Sequence, residues 1–274
     1  MILSELIAFL KSIDARPKKS LSQNFLVDAN IVRKIVQKAE IQPGDRVLEI
    51  GPGPGALTKS LLDAGAHVIA IEKDRTFAKE LSRLQTPDQR LTVFEDDFLE
   101  FDLERLARFQ PCKIVANLPY HITAPILERV FDQADRFSCL TIMVQKEVAV
   151  RMASKEGSKN FGSLSLFVQF YSDVAGSFVV PASCFYPAPK VDSTVIRLIF
   201  RPTPAVPTEP FFKLVRQAFQ QRRKMVSTSL SSLFSTEGIK AALRSIGSSP
   251  EARPETLSLT QWIKFYHSIH ETIP

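Results

Sequence analysis

No apolar run in this chain of 274 residues approaches the roughly 20 positions that a membrane-spanning helix requires, so a helical membrane protein is excluded. The opening residues, Met1-Ile2-Leu3-Ser4-Glu5, carry no basic cluster ahead of their apolar positions; a secretory signal is not expected, and a cytoplasmic location is. Cysteine is scarce: Cys112, Cys139 and Cys184 are odd in number and far apart, which speaks against a disulfide frame and for reduced thiols. Neither they nor the four scattered histidines have metal-ligand spacing, and no metal is expected. There is no internal repeat and no extended low-complexity segment. Glycine is sparse too, yet three of the ten glycines fall in Gly51-Pro52-Gly53-Pro54-Gly55.

What is present is ordinary for a soluble globular chain: 45% hydrophobic and 23% charged residues. The net charge of +6 is uneven, because residues 202–274 hold 9 basic and 5 acidic side chains. A basic excess is usually a solvated surface, but when clustered it provides the footprint of a nucleic-acid binder.

Strand and helix patterns alternate from residue 46. Strands are expected at 46–50, 67–71, 91–94, 113–116 and 138–144, with helices at 57–64, 76–84, 125–131, 146–153 and 164–171. Crossovers of this kind imply a mostly parallel sheet covered on both faces. Two further strands, 175–180 and 193–200, have no helical pattern between them and are expected to pair with each other at an edge. Four prolines in Pro202-Thr203-Pro204-Ala205-Val206-Pro207-Thr208-Glu209-Pro210 then mark a boundary. The expected division is a large α/β domain at 1–201, with a helical extension at 1–40, and a small helical domain at 202–274. The second is expected to hold helices at 211–232, 237–246 and 259–270, and the first to fold without it.

The glycine-rich stretch follows a strand and precedes a helix, where absent Cβ atoms let the backbone turn close to a ligand. Glu72 ends the next strand, in position to accept hydrogen bonds from a ribose. A dinucleotide site shares this pattern, but Pro52 and Pro54 each remove an N–H that a pyrophosphate needs. Glu49 also brings a carboxylate that repels phosphate and favours a cation. S-adenosylmethionine, a cationic nucleoside without phosphate, fits these residues better. After the third strand, Asp97 can accept from an adenine amine while Phe98 packs on the ring; a solvated acidic turn is the alternative.

Asn117-Leu118-Pro119-Tyr120 follows another strand. An Asn carbonyl beside a proline-stiffened backbone offers fixed acceptors, and Tyr120 a flat face, which together suit a planar group with an exocyclic amine such as adenine. A plain turn uses the same residue types.

Eight segments coincide in order: Gln23–Leu26, Glu49–Gly55, Ile71–Asp74, Asp97-Phe98, Asn117–Tyr120, Gln145–Ala149, Phe185–Ser193 and Gln221–Lys224. On these motifs, spanning roughly residues 16–270, the sequence resembles the small-subunit ribosomal RNA adenine dimethyltransferases of the KsgA type. The resemblance implies a Rossmann-like class I methyltransferase sheet of seven strands, mostly parallel, with a small C-terminal helical domain. It also implies dimethylation of the N6 amines of two adjacent adenosines near the 3′ end of 16S rRNA, with a part in small-subunit biogenesis. Cofactor contacts then fall to Asn24, Leu26, Gly51, Gly53, Glu72, Asp97, Phe98 and Asn117. Asn117, Leu118, Pro119, Tyr120 and Phe185 hold the target base, Phe185 facing Tyr120 across it and Tyr120 acting through its ring rather than its hydroxyl. Lys18, Lys19, Arg222, Arg223 and Lys224 are the candidates for RNA phosphate contacts. Ser22, Asp96 and Val179-Val180-Pro181 depart from the family pattern, the first two replacing glycines. Two rivals remain: a large-subunit rRNA adenine methyltransferase of the erythromycin-resistance type, and a ribosome-assembly factor with secondary catalysis. A monomer bound to the small ribosomal subunit is expected.

Overall fold

The computed structural model describes residues 1–84, 88, 90–109 and 112–271, the side chains of Ser20 and Arg108 excepted. In chain order the elements are α1 (Leu3–Ser12), β1 (Phe25–Leu26), α2 (Ala29–Lys38), β2 (Arg46–Ile50), α3 (Ala56–Asp63), β3 (His67–Glu72), α4 (Arg75–Ser82), β4 (Leu91–Glu95), β5 (Cys112–Asn117), α5 (Thr123–Phe131), β6 (Phe137–Gln145), α6 (Lys146–Met152), α7 (Ser163–Tyr171), β7 (Ser172–Val180), β8 (Phe185–Tyr186), β9 (Ser193–Phe200), α8 (Thr208–Gln220), α9 (Val226–Ser229), α10 (Thr236–Ser245) and α11 (Leu259–Glu271).

Seven strands form one sheet in the order β4-β3-β2-β5-β6-β9-β7. The pairs from β4 through β6 are parallel, and β9 runs antiparallel to β6. β9 thus lies between β6 and β7, rather than pairing with β7 alone. The order reverses between β2 and β5, so a crevice opens beyond the carboxyl ends of these strands, where open α/β sheets bind ligands. Val47, Val68, Val115 and Val195 pack with Ile31, Val32 and Ile35 of α2 and Leu57, Leu61 and Leu62 of α3. Each such buried side chain contributes about 1.5–3 kcal/mol. Leu6 and Leu10 of α1 join Phe25 and Phe77 in a second cluster. Asp28 caps α2 by accepting from the Asn30 and Ile31 N–H groups, and Asp74 caps α4 through Thr76.

Two short elements escaped the sequence patterns. β1 and β8 form a separate antiparallel ribbon, Phe25 opposite Tyr186 and Leu26 opposite Phe185. The helix expected across 211–232 is broken: α8 stops at Gln220, and Gln221 and Met225 leave the helical region before α9. Gln220-Gln221-Arg222-Arg223-Lys224 has no apolar side chain to seat on a core.

The chain clusters into two compact units, Met1–Ala149 with Val174–Phe200, and Val150–Asp173 with Arg201–Pro274. The expected contiguous division misses Val150–Asp173. The reason is aromatic: Phe170 of α7 lies 5.6 Å from Phe211 and 5.0 Å from Phe212 of α8, and Phe167 lies 5.0 Å from Phe212. Removal of residues 203–274 therefore strips α7 of its partners. The truncated chain is expected to aggregate or melt well below the full chain in a thermal scan. A soluble fragment with the parental melting temperature would show that α7 does not need α8.

Candidate active site

β2 ends in a turn in which the glycine conformations are required. Gly53 has φ +55°, and a Cβ there would stand 3.2 Å from the Phe25 ring. The Gly51 N–H donates to the Ile71 carbonyl (2.9 Å), the Gly53 N–H to Glu72 Oε2 (2.8 Å) and the Gly55 N–H to the Pro52 carbonyl (3.1 Å). The other oxygen of Glu72, Oε1, accepts from the Asp74 N–H at 2.7 Å. Glu72 is 6% exposed, and burial raises its carboxyl above the ordinary carboxylate value.

The turn borders a cavity of about 240 Å³ whose lining includes Asn24, Leu26, Gly51, Gly53, Glu72, Asp97, Phe98 and the whole of Asn117–Tyr120. Glu49 is in the same lining, 1% exposed, with Oε2 lacking any partner. Burial, with the nearby charge of Glu72 adding to it, pushes its carboxyl up to about 8. From sequence Glu49 was legible as a charge near the loop, but not as a buried group facing the cavity with an unused oxygen.

Asn117 is the last residue of β5. Its Nδ2 donates to the Asn24 carbonyl at 3.2 Å, so its Oδ1 is the atom left to accept. The Leu118 N–H continues the ladder to the Met143 carbonyl of β6 (3.2 Å). Pro119, with φ −60°, lends its carbonyl to the Ile122 N–H (3.2 Å) and Thr123 Oγ1 (3.1 Å), which pins the turn. The Tyr120 hydroxyl meets Ser193 Oγ at 2.6 Å. The sequence reading gave that hydroxyl no role.

Asp97 is less free than the sequence implied. Its Oδ2 pairs with Lys73 Nζ at 2.5 Å and its Oδ1 accepts from the Leu99 N–H at 3.0 Å. Burial opposes its charge, but the hydrogen bonds from Lys73 and the Leu99 N–H, with the charges of Lys73 and Arg129, together outweigh it and hold the carboxyl below the ordinary value. Phe98, next in the chain, is 4% exposed.

A turn without free N–H groups, two buried carboxyls and an Asn carbonyl at a strand end match a methyltransferase cavity in kind. Residues 15–271 match the profile of the family described as ribosomal RNA adenine dimethylase. The chain belongs to that family. The ribosomal RNA small subunit methyltransferase A of Protochlamydia amoebophila is 50% identical over 275 residues, covering 98% of this chain and 97% of that protein. The protein of the same name from Chlamydia trachomatis serovar L2 is 44% identical over 276 residues, covering 98% of each. Among solved structures, a dimethyladenosine transferase from Plasmodium falciparum aligns with TM-score 0.73 and 26% identity, over 90% of this chain and 98% of that one. The 23S rRNA methyltransferase ErmE aligns with TM-score 0.69 and 26% identity, over 90% and 100%. The sheet is therefore the Rossmann-like class I methyltransferase sheet, and the chain is an rRNA adenine dimethyltransferase by family.

In this dimethyltransferase, three sequence expectations change. Phe185 is not in the cavity; it is 4% exposed, packed in the core with Leu26, Ile31 and Val180. Its register opposite Leu26 turns the ring inward and leaves Tyr186, 37% exposed, outward. Lys18 is not a free cation: its Nζ lies 2.9 Å from Asp74 Oδ2, whose side chain is 1% exposed and also accepts from Gln23 Nε2 at 3.0 Å. Arg222 donates to the Ser158 carbonyl at 3.1 Å, while Lys19, Arg223 and Lys224 are exposed. Of the two glycine replacements, only Ser22 occupies the left-handed region, with φ +48°. Among the described residues no cluster of side chains could hold a metal, and no helix is long and apolar enough to cross a membrane.

Proposed function

We propose that this enzyme dimethylates the N6 amines of two adjacent adenosines near the 3′ end of 16S rRNA, acting as a cytoplasmic monomer on the maturing small ribosomal subunit. The observation that carries this reading is the Asn117 amide, whose nitrogen is committed to the Asn24 carbonyl and whose oxygen is left for an amine donor. S-adenosylmethionine is the methyl donor that the cavity fits. All three glycine N–H groups of the turn are engaged and both prolines lack one, so the turn offers nothing to a pyrophosphate. Glu49, with its unpartnered buried oxygen, suits a cation.

When bound, S-adenosylmethionine supplies an electrophilic methyl on a positive sulfur. The protein supplies alignment. Asn117 Oδ1 and the Leu118 carbonyl accept from the two N–H groups of the target amine, which favours a pyramidal nitrogen with its lone pair directed into the cavity. Orientation of this kind is worth up to roughly 7–11 kcal/mol. Tyr120 provides a stacking face, returning about 1–3 kcal/mol per base against the cost of extruding it. Lys19, Arg223 and Lys224 are exposed and suited to phosphates. The identity of 44–50% with small subunit methyltransferases, against 26% with ErmE, favours the small-subunit substrate. Tritiated methyl transfer to undermethylated small subunits, set against large-subunit RNA, tests it; label in the large-subunit RNA alone would overturn it.

Two expectations follow from the buried carboxylates. With its carboxyl pushed up to about 8 by burial, Glu49 is expected to hold its proton at neutral pH until a cation is bound. A bound cation favours the carboxylate, so cofactor binding releases a proton. Affinity should then rise between pH 6 and 8, by at most about tenfold per unit, and level off above. Without cofactor the sign is the reverse for folding: stability present below the unfolded value of about 4.3 is lost as pH rises through about 8. Glu49→Gln should flatten both profiles in calorimetry and thermal scans. Lys18→Ala, which removes the cation beside the buried Asp74 carboxylate, should lower stability by about 1–2 kcal/mol and leave RNA affinity within about twofold. Filter binding with a large RNA loss would restore Lys18 as a phosphate contact.

A further inference from the structure

The Tyr120 ring is attached to the protein at both ends. Its backbone belongs to the pinned turn after β5, where the Pro119 carbonyl receives two hydrogen bonds. A turn fixes the Cα–Cβ direction but leaves the rotation of the ring open. The far end is held by the 2.6 Å contact between its hydroxyl and Ser193 Oγ. Ser193 is 0% exposed and opens β9, paired with Gln145 of β6, and its neighbour Asp192 receives the Lys146 N–H at 3.0 Å. The serine hydroxyl is therefore an anchor built into the sheet, joined to a ring that lines the cavity.

We propose that Ser193 is a positioning residue that sets the plane of the Tyr120 ring for the extruded adenine; this rests on the reading of the Asn117–Tyr120 cavity given above. A base stacked on a tilted ring carries its amine away from the Asn117 acceptor, and small displacements from an aligned geometry are expensive in rate. The hydroxyl of Tyr120 does its work without touching substrate, through Ser193. On this view Ser193→Ala and Tyr120→Phe cut the same bond from opposite ends.

The experiment is a double-mutant cycle on the full-length enzyme, with steady-state methylation of undermethylated small subunits and calorimetric cofactor affinity for each variant. Ser193→Ala and Tyr120→Phe should each lower kcat by about tenfold, with KM for the particle and cofactor Kd within about twofold. The double variant should be no slower than the slower single one. Ser193→Thr, which keeps a hydroxyl, should recover most of the rate. Tyr120→Phe makes the test from the partly exposed side, should Ser193→Ala lose its fold. Full kcat in Ser193→Ala or Tyr120→Phe, additive losses in the double variant, or a loss carried by cofactor Kd would each overturn the assignment. Tyr120→Ala separates the two levels. If it is inactive while Ser193→Ala is fully active, only the positioning role fails. If Tyr120→Ala is itself fully active, the reading of the cavity fails.

Discussion

Asn117→Ala is expected to lower single-turnover methylation by on the order of a hundredfold or more, because a fixed acceptor for the target amine is worth several kcal/mol in alignment. Affinity for the small subunit should change little, since phosphate contacts supply most of it and Asn117 is not among them. Two effects need separating. Asn117 Nδ2 also braces the Asn24 carbonyl in the cavity wall, so cofactor affinity should fall modestly. Saturating cofactor restores that part and leaves the chemical defect. Near-normal single-turnover rates at saturation would sink the proposed role of the side chain.

Glu72→Ala should be the most damaging change on the cofactor side. Beside the proposed acceptor role toward a ribose, the carboxyl already receives the Gly53 and Asp74 N–H groups at 2.8 and 2.7 Å. Its loss strands two buried donors at about 1–3 kcal/mol each and frees the glycine turn. Cofactor affinity is expected to drop more than tenfold, and the melting temperature should fall with it. The purely ligand-directed role suggested by the strand-end position would cost affinity alone. Calorimetry together with a thermal scan distinguishes the two, and unchanged affinity would remove Glu72 from the site.

The parts of this molecule readable from sequence are those whose determinants lie close together in the chain. Glu72 and Asn117 could be located because each ends an apolar run, and a parallel sheet presents strand ends on one rim. The Gly51–Gly55 turn could be read because Pro and Gly fix backbone options locally. What failed depends on partners far along the chain. Phe185 was expected to face Tyr120 across the target base, until pairing with Leu26 turned it into the core. Lys18 was expected among the phosphate contacts, until Asp74 met it. Residues 164–171 carried a correct helical pattern, yet nothing local revealed that Phe167 and Phe170 would pack against Phe211 and Phe212. Ser193 had no signal beyond belonging to a motif, because its importance lies in one contact with Tyr120.

The β1–β8 ribbon has a consequence for how the protein comes into being. Leu26 helps wall the cavity, and the strand that fastens it is about 160 residues downstream. A growing chain emerging from the ribosome at about 5–20 residues per second needs roughly ten to thirty seconds to deliver β8 after β1. Until then the glycine turn, Glu72 and even Asn117 have emerged, but the wall opposite them lacks its β8 partner. The cavity wall is thus completed only once Phe185 and Tyr186 have emerged, well after the strands that end in Glu72 and Asn117.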